Sequence, residues 1–150
     1  MIIREGVMLP SERLDYSAIG QRSKLALPNS ARLAVWVIVN VEEWDPSQPM
    51  PRTVITPPAG GAPMPDIPMM IVQHHEGEYL LQRAIDQFDR LYAEGKERAK
   101  IMALAIHPYI SGQPHRIKYL EAIYDYASRF DGVLHWNGLE ILDWYLSVRR

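Results

Sequence analysis

The chain has 150 residues, 47% of them hydrophobic and 23% charged, with a formal net charge of -2 and no cysteine. That is the make-up of one ordinary folded domain, at about 100–200 residues per domain. A near-balanced charge leaves no surplus of Lys and Arg for nucleic acid or an anionic membrane, and the lack of cysteine excludes a disulfide framework, a thiol nucleophile and thiolate-bound zinc.

Residues 1–31 show no sustained periodicity and read as an irregular arm with one weak helical turn after Ser11. The first five, MIIRE, put an acid where a signal peptide needs a basic region, which leaves a cytoplasmic protein as the expectation. Residues 32–40, RLAVWVIVN, form a continuous β-branched apolar run, the pattern of a strand buried on both faces as in a parallel sheet. Its core, residues 33–39, is the longest apolar run in the chain and falls far short of the ~20 residues that cross a bilayer. Acids Glu42 and Glu43 then follow at its C-terminal end.

Eight of the twelve prolines lie between Pro46 and Pro68. Each removes a backbone donor and fixes φ, so this stretch is neither helix interior nor central strand. Residues 69–75 are too few for periodicity to separate strand from helix. From Gly77, residues Leu80, Leu81, Ala84, Ile85, Phe88, Leu91 and Tyr92 recur at helical spacing, and Gly95 suits a left-handed cap. Residues 101–107 are a second buried strand, stopped by Pro108. A helix follows with an apolar stripe of Ile117, Leu120, Ile123, Tyr124, Ala127 and Phe130, then a short strand at 133–136. Asn137 and Glu140 form a capping signature for a last helix over 139–148. Alternating helices and strands mean βαβ units and a mostly parallel sheet.

In parallel α/β folds a ligand sits at the C-terminal strand ends, where the βα loops meet. Glu42 and Glu43 meet that condition, and so does His107, whose side chain is suited to acid or base work near neutral pH. On spacing alone the plainer readings stand beside these: a strand-end histidine bonded to a loop, and a solvated acidic loop. Adjacent His74 and His75 point in different directions and so share one ion poorly. His115 reads as a helix N-terminal residue and His135 as a satisfied core histidine. No nucleophile elbow, phosphate loop or dinucleotide fingerprint occurs.

The runs LAVWVIVNVEEW at 33–44, MPRT at 50–53, AIDQFDRLY at 84–92, MALAIHPYISG at 102–112 and DGVLHW at 131–136 together resemble the polysaccharide deacetylase superfamily in its allantoinase-like branch. The resemblance implies a distorted (β/α)7 barrel that hydrolyses amide C–N bonds, in N-acetylated sugars or cyclic ureides. It implies His107 as the general acid with Glu42 as its polar partner in the catalytic site, and Glu43, Trp44 and Tyr109 against the substrate. Metal-dependent branches carry an Asp-Asp pair after the first strand and a His-x-x-x-His segment. Here Asn40, Val41 and Glu42 occupy the first position and no segment spells the second, so no metal or other cofactor is expected.

A complete barrel of this kind takes ~250 residues, and its central strands have no counterpart here. The expectation is a single shortened domain over 1–150, with an N-terminal part (1–66) joined near Asp66 to Pro68 to a C-terminal αβαβα part (67–150). Too few strands remain to close a barrel, which takes about eight. The sheet is therefore expected to be open, with exposed edges that favour a homo-oligomer. The expected partner is a small-molecule amide, ureide or N-acetylated sugar, with no nucleic acid and no membrane; a catalytically inactive remnant serving as a binding or oligomerisation module is the alternative.

Overall fold

A computed structural model describes residues 19–41 and 64–148. Glu42, Glu43, Trp44, most of the proline-rich segment and the turn expected after Ser11 lie outside the described residues.

The strands are β1 (Leu33–Val39), β2 (Met64–Pro65), β3 (Lys100–Ile106) and β4 (Val133–His135). The helices are α1 (Gly77–Glu94), the single turn α2 (Pro108–Ser111), α3 (Ile117–Ala127) and α4 (Gly138–Val148). Between β2 and α1, Ile67–Val72 winds as a π-helical turn, which answers the strand-or-helix ambiguity of that segment. All pairings are parallel, in the order β2-β3-β1-β4. The described sheet is thus a small open one with β2 and β4 at its edges, and it does not close into a barrel.

Strand alternation sends Leu33 and Val35 of β1, with Met102, Leu104 and Ile106 of β3, to one face. There they meet Leu80, Ala84 and Phe88 of α1 and Ile123 and Ala127 of α3. Phe88 is the hub of an aromatic cluster, with the rings of Tyr92, Tyr126 and Phe130 at 5.7, 5.6 and 4.9 Å. Ala34 faces the other way, into a smaller cluster with Leu27 and Ala31, against which Trp136 and Trp144 pack.

Three expectations change. Gly95 adopts φ -62°, not the left-handed cap; a Cβ there would lie 2.1 Å from the Arg32 carbonyl oxygen, so glycine serves close approach rather than backbone freedom. In the α3 stripe Tyr124 is exposed, whereas Tyr126 packs against the core and donates to Asp89 Oδ1 at 2.7 Å. His135, expected in the core, is exposed and stacks on Tyr124, because it ends β4, a short strand at the edge of the described sheet. Among the described residues no helix is long and apolar enough to cross a membrane.

Candidate functional site

Register brings the chemistry together. Val39 is level with Ile106, and the Asn40 N–H donates to the Ile106 carbonyl at 2.9 Å. Pro65 is level with Ala105, so the residues that follow β2 and β3, Asp66 and His107, emerge side by side at the C-terminal edge of the sheet.

Asp66 is fully buried (0% exposed) and His107 nearly so (6%). Burying a carboxylate costs several kcal/mol unless partners replace its water. Asp66 has three: the His107 backbone N–H at 2.8 Å and the Ser111 hydroxyl at 2.7 Å on Oδ2, and His107 Nδ1 at 2.7 Å on Oδ1. Opposite an accepting carboxylate, Nδ1 carries the hydrogen, which turns Nε2 toward any chemistry. The proximal pair Asp66 and His107 is therefore oriented through both the ring and the backbone of the histidine.

The sequence around His107 folds to make this possible. His107 keeps extended geometry, Pro108 opens α2, and the His107 carbonyl accepts from the N–H groups of Ile110 and Ser111, each at 2.9 Å. That turn carries Ser111 back beneath Asp66. The serine bonds to the carboxylate rather than to the imidazole, so this is not a nucleophile–base arrangement, which needs the serine on the ring nitrogen. Tyr109, on the same turn, stands edge-on to His107 with ring centroids 5.6 Å apart and is 44% exposed.

Of the residues expected at the site, His107 and Tyr109 are brought together; Glu42, Glu43 and Trp44 are outside the described residues. Sequence reasoning missed Asp66 and Ser111. The signal for Asp66 was an acid between prolines just ahead of an apolar run; for Ser111, a hydroxyl one helical turn after His107. His75 stacks on Tyr79 at 3.8 Å. Among the described residues no three His, Asp or Glu side chains converge in a group that could hold a metal ion.

No protein-family model matches the chain, and no curated protein matches it.

Proposed function

We propose that the chain is a hydrolase of the polysaccharide deacetylase superfamily, allantoinase-like, acting on C–N bonds other than peptide bonds with His107 as general acid. The observation that carries this reading is the Asp66–His107 pair, a histidine aimed by a buried carboxylate at the C-terminal edge of parallel strands. On this reading the open sheet is an arc of a (β/α)7 barrel.

Water adds to the carbonyl carbon as His107 Nε2 takes up one of its protons, giving a tetrahedral intermediate. As acid, His107 then passes that proton from Nε2 to the departing nitrogen while the C–N bond breaks, so the nitrogen leaves as a neutral amine rather than an amide anion and the imidazole is restored. The products are the amine and the carboxylic acid. A positioned acid of this kind is typically worth ~10²–10⁴ in rate. Asp66 holds the ring in orientation, Ser111 and the His107 N–H hold Asp66, and the exposed Tyr109 ring offers a wall to a sugar or ureide. Among the described residues at the strand ends, Asn40 supplies a neutral amide where the metal-dependent branches have a carboxylate, and no step here runs through a metal.

A second reading, a binding or oligomerisation module without turnover, is favoured by a different observation. The edge strands β2 and β4 are short, and Leu139, Leu142 and Leu146 of α4 are exposed.

Turnover separates the two. Allantoin and N-acetylglucosamine oligomers are assayed with wild type and His107→Ala, and loss of ~10²-fold or more in kcat is expected. Equal turnover by both proteins sinks the role of His107. No turnover by wild type, with a concentration-dependent dimer in light scattering, favours the module.

A further inference from the structure

The opposite edge of the sheet has a chemistry of its own. Residues 22–31 run along it, tied down by the Ala99 N–H on the Leu25 carbonyl at 2.7 Å, and between this segment and the α1–β3 turn lies a cavity of about 370 Å³. Four cations line it, Lys24, Arg32, Lys96 and Arg98, against the single carboxylate of Glu97. Lys24 meets Glu97 at 3.9 Å, and the Arg32 guanidinium lies over the Tyr92 ring at 5.0 Å. Lys96 and Arg98 make no ion pair among the described residues. A chain of net charge -2 therefore gathers unbalanced positive charge around one concave space.

A second chamber of about 290 Å³ adjoins it, sharing Lys24, Leu25, Arg98 and Ala99. Its remaining wall includes Ile101, exposed at a strand start, and Trp144. Trp144 is fixed by its indole N–H on the Ala26 carbonyl at 3.3 Å and by packing on Trp136. Each chamber is near the lower end of the ~300–1,000 Å³ common for small-molecule sites, and together they offer more room than an inorganic ion fills.

We propose that the N-terminal edge of the sheet binds a small phosphate ester with a flat apolar body, its phosphate between Lys96 and Arg98 and its body against Ile101 and Trp144. A dianion answers two unpaired cations where a monocarboxylate answers one, and a planar group suits an indole beside an isoleucine. This site is independent of the hydrolase reading, being at the other end of the strands from His107.

The whole chain is titrated with phenyl phosphate, inorganic phosphate and phenol, by calorimetry and tryptophan fluorescence. Phenyl phosphate is expected to bind ~10-fold or more tightly than either fragment, and to weaken as added salt screens the cations. The double substitution Lys96→Glu with Arg98→Glu, at exposed positions, lowers its affinity ~10-fold or more and leaves phenol unchanged. Trp144→Leu weakens phenyl phosphate but not inorganic phosphate; if that variant fails to fold, Ile101→Ser makes the same test at an exposed position. Absence of saturable binding overturns the proposal. So does phenol binding as well as phenyl phosphate, or full affinity in the charge-reversed variant. Inorganic phosphate binding as tightly as phenyl phosphate removes the apolar half and with it the ligand class.

Discussion

Helices α1 and α4 both carry apolar residues at helical spacing, yet they end in different environments. In α1 one stripe, Leu80, Ala84 and Phe88, is buried, Leu81, Leu91 and Tyr92 are half-buried against the core, and no large apolar side chain of the helix is exposed. In α4, Ile141, Trp144 and Tyr145 turn inward without any residue becoming fully buried, while Leu139, Leu142 and Leu146 form a second stripe, 65%, 50% and 54% exposed. Periodicity shows that a helix has an apolar face; what covers that face depends on the rest of the fold. The α1 face is closed by α3 and the sheet, whereas α4 carries apolar residues on two sides and has a neighbour on only one of them among the described residues.

Truncation should separate the two helices most sharply. Phe88→Ala removes the hub of the aromatic cluster beneath α1 and is expected to cost about 3–5 kcal/mol in urea unfolding. Leu142→Ala removes a comparable apolar side chain from the open stripe of α4, and at an exposed position should change stability by no more than about 0.5 kcal/mol. If Leu142→Ala costs as much as a core truncation, and does so only at concentrations where the protein is oligomeric, the outer stripe of α4 is covered by a second copy and the contrast between the helices disappears.

Legibility in the sequence follows the same division between local and long-range information. The strand at Leu33–Val39, the helix at Gly77–Glu94 and the Asn137 cap are fixed by side chains within a few residues of one another, and each forms nearly where the pattern places it. His107 could be marked from its place at a strand end. Its partner could not: Asp66 is 41 residues away, in a proline-rich stretch that spells no element, and only the pairing of β2 with β3 brings it near. That pairing also ties Met64–Pro65 to β3, although the sequence division groups both residues with the N-terminal part. Gly95 and His135 differ from expectation for a related reason. The Arg32 carbonyl that demands the glycine is brought near only by the fold, and the place of β4 at the sheet edge, which exposes the histidine, is set by the strand order.

A helix with little tertiary cover should depend more on its own ends. In α4 the Asn137 side chain accepts from the N–H groups of Leu139 and Glu140 at 2.9 and 3.0 Å, and Glu140 Oε2 accepts from the Asn137 N–H at 2.7 Å, a reciprocal capping box. Asn137→Ala should cost about 1 kcal/mol, and the loss should appear first as faster amide exchange within residues 139–148, ahead of α1. Uniform exchange loss across both helices would mean that α4 is held by the core after all.

The smallest effect concerns the far end of α1, where charge rather than packing ties the helix to the sheet. Lys100 at the start of β3 donates to Glu94, and Arg90 one turn back does the same. These hydrogen bonds, that from Lys100 foremost, hold the Glu94 carboxyl below its ordinary range. A depressed folded-state value means that the unfolded chain takes up the proton first as pH falls. The contribution of Glu94 is therefore complete above the unfolded value, ~4.3, and is lost as pH drops through the lower folded one. Urea melts of wild type and Glu94→Gln at a series of pH values should show a small gap near neutrality that narrows below that point. Because Arg90 is exposed and Glu94 and Lys100 are only partly buried, added salt should narrow the gap at neutral pH as well. A gap that stays constant with both pH and salt would assign the role of Glu94 to packing, and would make this end of α1 resemble its buried stripe.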